Sequence, residues 1–260
     1  MQSRTALVTG GAQGLGLAIG GRLVSDGFDV VLADVDGEAV LEAADLIGAT
    51  GVRMDVTDDA AVASVFAELP DGQLDVLVNN AGIISRQPAS EFDSVQWDRE
   101  MAVNLGGAMR CSRAAFEMLT ASANPSVLNL ASVGSTFGLP QRLGYSTTKA
   151  GVLGLTRTLA AEWGPHGIRV NAIAPGYVET QMMRSGFATG ALDESRLLDR
   201  TPLGRFGTAD EIAAAASFLA SADASFVTGI VLKVDGGITI DGSFHARPHP
   251  AGSLSRTDPI

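Results

Sequence analysis

Ala6-Leu-Val-Thr9-Gly10-Gly11-Ala12-Gln13-Gly14-Leu15-Gly16 passes from a short apolar run, through a cluster of glycines, into a helical pattern. That order decides the fold, because it is the first unit of an alternation that continues almost to the end of the chain. Short apolar runs recur at Val30–Ala33, Val52–Met54, Asp75–Val78, Val127–Leu130, Arg169–Ala174 and Ile230–Val234. Helical patterns separate them near 15–26, 37–47, 59–69, 94–122, 145–164 and 209–221. Runs that are apolar at nearly every position belong to strands covered on both faces. The chain therefore reads as an α/β fold: a doubly wound, mostly parallel seven-stranded sheet with helices on both faces. Neither an internal repeat nor an interdomain linker is visible, so residues 1–240 read as one domain followed by a 241–260 extension.

The glycines add a ligand to this Rossmann-like arrangement. Between a strand and a helix, the turn Gly10, Gln13, Gly14, Leu15, Gly16 lets the backbone bend sharply and approach a pyrophosphate, whose charge the helix N-terminus then holds. The spacing, Gly-x-x-x-Gly-x-Gly, departs from the Gly-x-Gly-x-x-Gly pattern, and position carries the reading more than spacing does. Asp34 closes the second apolar run 18 residues after Gly16, where a carboxylate can take ribose hydroxyls and repel a 2′-phosphate. With no arginine at Gln13 or Val35 to offset that repulsion, NAD is expected over NADP. Asp55-Val56, at the end of the third run, can reach an adenine edge. Asn79-Asn80-Ala81-Gly82 breaks the fourth run, either as a plain turn or as amides that tie strands together and line a cofactor cleft.

Ser132 to Lys149 carries the chemistry. Tyr145 and Lys149 stand four residues apart at the start of a helical pattern, on one face. Ser132 follows an apolar run and opens a loop containing Gly134, Gly138 and Pro140. Making a tyrosine a base near neutrality means lowering a pKa of about 10 by about three units, roughly 4 kcal/mol. A lysine charge about 5 Å away supplies about 3 kcal/mol of that at an effective dielectric of about 20. Taken alone, the pair could equally be a helix-start tyrosine beside an exposed lysine. Asn104 interrupts the helical pattern from Trp97 to Leu119 next to Gly106-Gly107, which predicts a kink holding an ordered water.

Composition sets the boundaries. A 260-residue chain with 46% hydrophobic residues can bury a large core, and a net charge of -11 without a basic cluster opposes binding to nucleic acid or an anionic membrane. Cys111 is the single cysteine, which excludes an internal disulfide and suits a reducing, cytoplasmic setting. No signal-peptide pattern precedes the first run, and no apolar run reaches the ~18 residues that a membrane span requires. His245 and His249 have the spacing of a helical metal pair, but Pro248 and Pro250 break that helix, and no metal is expected. His166, between Pro165 and Gly167, reads as a helix-end residue.

Taken together, Thr9-Gly-x-x-x-Gly14-x-Gly16, Asn80-Ala-Gly82, Ser132 thirteen residues before Tyr145, Tyr145-x-x-x-Lys149, Pro175-Gly176 and Val234-Asp-Gly-Gly237 resemble the short-chain dehydrogenase/reductase family. The resemblance implies Tyr145 as acid/base, Ser132 as hydrogen-bond partner of the reacting oxygen, Lys149 as holder of the nicotinamide ribose, and Asn104 as support of a water in the proton path. Pro175, Gly176, Val178 and Thr180 would lie beside the nicotinamide, and residues 179–205 would cover the substrate. Ala81-Gly-Ile-Ile-Ser-Arg86 and Leu198–Phe206 resemble members that oxidise sugars, sugar acids and polyols. Arg86 would either meet a sugar-acid carboxylate or lie exposed on a loop. The expected function is the NAD-dependent interconversion of a small secondary alcohol (a sugar, polyol, sugar acid or related carbinol) and its ketone by a homotetramer or dimer. A 3-oxoacyl-thioester reductase is the competing enzyme, disfavoured by Asp34, and a non-catalytic NAD-binding sensor or scaffold is the competitor from another class.

Overall fold

Alternate residues of the first strand look to opposite sides of the sheet, and both sides are covered. In β1 (Arg4–Thr9), Ala6 and Val8 belong to one apolar cluster and Leu7 to another, all three fully buried. The same division runs through β2 (Phe28–Asp34), β4 (Val76–Asn79) and β5 (Ser126–Leu130). The cluster holding Ala6 and Val8 is closed by α1 (Gly14–Ser25), α2 (Gly37–Ile47) and α9 (Ala209–Ala220). The opposite cluster is closed by α3 (Asp59–Ala67), α5 (Ala108–Thr120) and α6 (Leu143–Trp163). Each fully buried leucine in these layers contributes about 1.5–3 kcal/mol relative to exposure. The structure, a computed structural model, describes residues 4–69, 72–188, 190 and 192–242. His245, His249 and the 241–260 extension beyond Gly242 lie outside the described residues.

With β3 (Thr50–Arg53), β6 (Arg169–Pro175) and β7 (Val231–Val234) the sheet has the order β3-β2-β1-β4-β5-β6-β7. The sequence predicts a mostly parallel sheet; every neighbouring pair is in fact parallel. Strand order reverses between β1 and β4, so the connections leave their carboxyl ends in opposite directions and open a crevice there. Short helices α7 (Gln181–Ala188) and α8 (Glu194–Asp199) follow β6 within the segment expected to cover the substrate.

The helix expected over 94–122 is not one helix. It comprises α4 (Ser94–Glu100), a π-helical turn from Met101 to Gly107, and α5. The wide turn carries Asn104 inward, where the side chain is buried. Gly107 permits a close approach to Val56, whose side chain would lie 2.7 Å from an added Cβ. The sequence located the irregularity at Asn104 and took it for a kink; the inserted residue of a π turn is the physical form.

Candidate active site

A cavity of about 870 Å³ lies at the carboxyl ends of the strands. Gly10, Gln13, Gly14 and Leu15 form its floor, with Asp34, Val35, Asp55 and Val56 at one side and Asn80, Ala81 and Gly82 between β4 and the wall. Ser132, Tyr145 and Lys149 line it from β5 and α6, and Pro175, Gly176, Val178 and Thr180 from the end of β6. The topology thus brings together residues from six strand ends that sequence reasoning had selected separately. Gly16 and Asn104 stand one layer back and do not line the cavity.

Each displaced residue has a physical reason. A Cβ on Gly16 would come within 2.1 Å of the Gly10 carbonyl oxygen, so this glycine presses α1 against the turn instead of facing a ligand. Asn104 commits its amide to the backbone: its Oδ1 accepts from Ile83 N at 2.8 Å, and its Nδ2 donates to Ile83 O at 2.9 Å and Thr148 Oγ1 at 3.1 Å. It ties the loop after β4 to α6. A water at this turn could meet its main chain or the second lone pair of Oδ1, since both Nδ2 hydrogens are committed.

The floor fits a dinucleotide. Gly10 and Gly14 adopt positive φ, +65° and +58°, open to glycine at little cost. α1 starts at Gly14 with no side-chain cap, leaving its first N–H groups free for a phosphate at the cavity wall. Asp34 Oδ2 accepts from Ala12 N at 3.2 Å and Oδ1 from Asp36 N at 3.2 Å, which fixes the carboxylate at the rim. The volume lies toward the upper end of the ~300–1,000 Å³ usual for ligand sites.

Thr9 and Asn80 lock the crevice at its narrowest point. Asn80 Nδ2 donates to the carbonyls of Thr9 and Gly10, both at 2.9 Å, and Thr9 Oγ1 accepts from the N–H groups of Asn80 at 3.0 Å and Ala81 at 3.1 Å. Behind them, Asn79 Nδ2 donates to Ser112 Oγ at 3.0 Å and to Asn129 Oδ1 at 2.8 Å, and Asn129 Nδ2 donates to Thr156 Oγ1 at 3.0 Å. The amides at this break tie strands, and Thr9, which the sequence showed only as the first residue of the glycine motif, is what they are tied to.

Electrostatics at the wall around Tyr145 do not rest on Lys149 alone. Burial pushes the Tyr145 phenol above its ordinary value; the Ser132 hydroxyl and then Arg142 pull it back, while Glu100 and Tyr177 push it up. Lys149 Nζ donates to Leu130 O at 2.6 Å and sits 5.7 Å from the Tyr145 ring centroid. Burial brings Lys149 itself down from 10.5 to about 8. Arg142, one residue before α6, therefore shares a task that the sequence had given to Lys149. An arginine at a helix N-terminus runs against the helix dipole, and that was the available sign. Ser132 is held by its own loop, its Oγ accepting from Gly134 N at 3.0 Å.

A family model described as Enoyl-(Acyl carrier protein) reductase matches residues 10–239, which is most of the chain. The chain belongs to the short-chain dehydrogenase/reductase family. It is 42% identical to Galactitol 2-dehydrogenase (L-tagatose-forming) of Cereibacter sphaeroides, over 90% of this chain and 94% of that protein. It is 39% identical to Gluconate 5-dehydrogenase of Gluconobacter oxydans, again over 90% and 94%. A crystal structure with bound NADP, provisionally named a 2-deoxy-D-gluconate 3-dehydrogenase, of Agrobacterium tumefaciens, superposes with a TM-score of 0.84 at 40% identity, covering 93% of this chain and 98% of that one. Membership makes the protein an oxidoreductase with a nicotinamide cofactor, for which the glycine floor and Asp34 wall of the cavity are suited. Among the described residues no helix is long and apolar enough to cross a membrane.

Proposed function

We propose that the protein interconverts a secondary alcohol, a sugar, polyol, sugar acid or related small carbinol, with its ketone, using NAD. The observation that carries this reading is one cavity wall formed by Ser132, Tyr145 and Lys149, in the same cavity as the Asp34 carboxylate. Relatives named for galactitol and gluconate oxidation support the substrate class.

When bound, the oxidised nicotinamide supplies the hydride acceptor and a positive charge beside the phenol. Tyr145 takes the carbinol proton through its phenolate oxygen, and Ser132 donates a hydrogen bond to the reacting oxygen. Lys149, held by the Leu130 carbonyl, holds the ribose and favours the phenolate as long as it remains protonated. The proton then leaves past Lys149 toward a water supported by the turn at Asn104. Pro175, Gly176, Val178 and Thr180 orient the nicotinamide from the end of β6, and Asp55 and Val56 flank the adenine. Asp34 selects NAD, since a 2′-phosphate would meet its carboxylate with no arginine at Gln13 or Val35 to relieve it. A homo-oligomer paired through α5 and α6, in a reducing cytoplasm that suits the free and buried Cys111, completes the assignment.

Steady-state rates with a panel of polyols, sugar acids, hydroxysteroids and 3-hydroxyacyl thioesters test it. NAD is expected to exceed NADP in kcat/KM by about tenfold or more, and Asp34→Asn to narrow that ratio. A wild-type preference for NADP would overturn the cofactor assignment, and turnover confined to acyl thioesters would overturn the substrate class.

A further inference from the structure

The wall beside Tyr145 carries two guanidinium groups that proton transfer leaves without a full task. Arg86, from the loop after β4, and Arg142, just before α6, both line the cavity. Backbone joins the two loops, because Gln87 N donates to Gln141 O at 3.0 Å. Gln141 is held at φ +63°, a left-handed conformation that side-chain-bearing residues seldom take and that persists only where its surroundings impose it. Such strain beside a cavity marks a segment whose orientation is fixed by more than local preference.

Both arginines keep donors in reserve. Among the described residues, Arg86 Nε and Arg142 Nη2 are buried without a hydrogen-bond partner. Arg142 Nη1 donates to Pro140 O at 2.9 Å, and neither arginine pairs with a carboxylate among the described residues. Glu100 lies on the same wall but pairs with neither arginine: its Oε1 accepts from Ser85 N, and its Oε2 packs against Gly144 with no hydrogen-bond partner among the described residues. Burial and then the charge of Arg86 hold Arg142 below its ordinary range, while the two tyrosines Tyr177 and Tyr145 pull it back. Two like charges with unspent buried donors are costly unless an oxyanion is shared between them.

We propose that Arg86 and Arg142 clamp a carboxylate on the substrate, so that the carbinol oxidised at Tyr145 belongs to a sugar acid or a hydroxy acid of similar size and not to a neutral polyol. This rests on the dehydrogenase reading for its chemistry but not for its binding test. A phosphomonoester offers related oxyanion chemistry, and the experiment separates the two.

Six-carbon aldonates, the matching alditols and the matching alditol phosphates are compared with NAD. Aldonates are expected to lead in kcat/KM by about tenfold or more; Arg86→Gln should lower aldonate kcat/KM by about thirtyfold through KM, leaving alditol values and NADH affinity within about threefold, and Arg142→Gln should lower the aldonate value by about tenfold more than the alditol value. Alditols leading, or both substrates falling alike in the variants, overturns the clamp. Phosphates leading overturns the carboxylate assignment. Calorimetric binding of an aldonate to the enzyme–NADH complex decides the matter even if nothing is turned over: binding by the wild type that is lost in the double variant supports the clamp, and no binding removes it. Competition of inorganic sulfate with the aldonate gives a readout free of any variant's folding, and its absence counts against the clamp.

Discussion

The two ends of the cavity are built in opposite ways. At the glycine floor, the polar side chains of Thr9, Asp34 and Asn80 are spent on nearby backbone. At the wall around Tyr145, Arg86 Nε, Arg142 Nη2, Ser146 Oγ and Glu100 Oε2 are buried with no partner among the described residues. Buried polar groups are ordinarily satisfied, so it is informative that the exceptions among the described residues, Asn79 Oδ1 apart, cluster on this side. One end is a finished mould for a ligand of fixed shape. The other holds unspent donors and depends on what enters to complete it. Damage at the first should therefore appear as lost stability and cofactor affinity, and damage at the second as lost turnover in a protein that still folds.

Tyr145→Phe is the sharpest form of that contrast. Turnover is expected to fall by about 10²- to 10⁴-fold, with NADH affinity preserved within a few-fold, as measured by single-turnover rates and fluorescence titration. A mutant that turns over at the wild-type rate would remove Tyr145 as the acid/base.

Lys149 sits where the two ends meet, and its proton gives a second, smaller effect. Burial lowers it from 10.5 to about 8, so between those values the unfolded chain keeps a proton that the folded chain has released. Stability contributed by this group therefore rises with pH through that window. In chemical denaturation of the cofactor-free protein, the difference between wild type and Lys149→Met should move in favour of the wild type by up to about 3 kcal/mol from pH 8 to 10.5. A pH-independent difference would mean that the ammonium is hydrated.

Gly16→Ala examines the floor. The added Cβ meets the Gly10 carbonyl and, at 2.6 Å, Asn80 Nδ2, so about 1–3 kcal/mol should be lost along with cofactor affinity. Unchanged urea midpoints would show that the turn yields more easily than its contacts suggest.

What the sequence disclosed follows the same division. Strand and helix positions were legible because apolar runs such as Val76–Val78 are buried on both faces, and the glycine floor because backbone geometry restricts residue choice. Tyr145, Lys149 and Ser132 were legible from spacing and chemistry. Arg142 was not, because its importance lies in its proximity to Arg86 and Tyr145, which loops distant in sequence create. The π turn was half legible: Asn104 and two glycines announce an irregularity, but whether it bends or widens a helix is settled by packing against Val56 and Ile83. Helices α7 and α8 arise where the sequence offers no long apolar period.

That widened turn has one more implication. Through Gly107 it bears on Val56, at one side of the cavity, and through Asn104 it grips Ile83, on the cavity wall, and Thr148, next to Lys149. A seven-residue segment thus acts as a spacer between two remote stretches of the cavity wall, and restoring ordinary helical pitch there would shift both together and alter the distance between them.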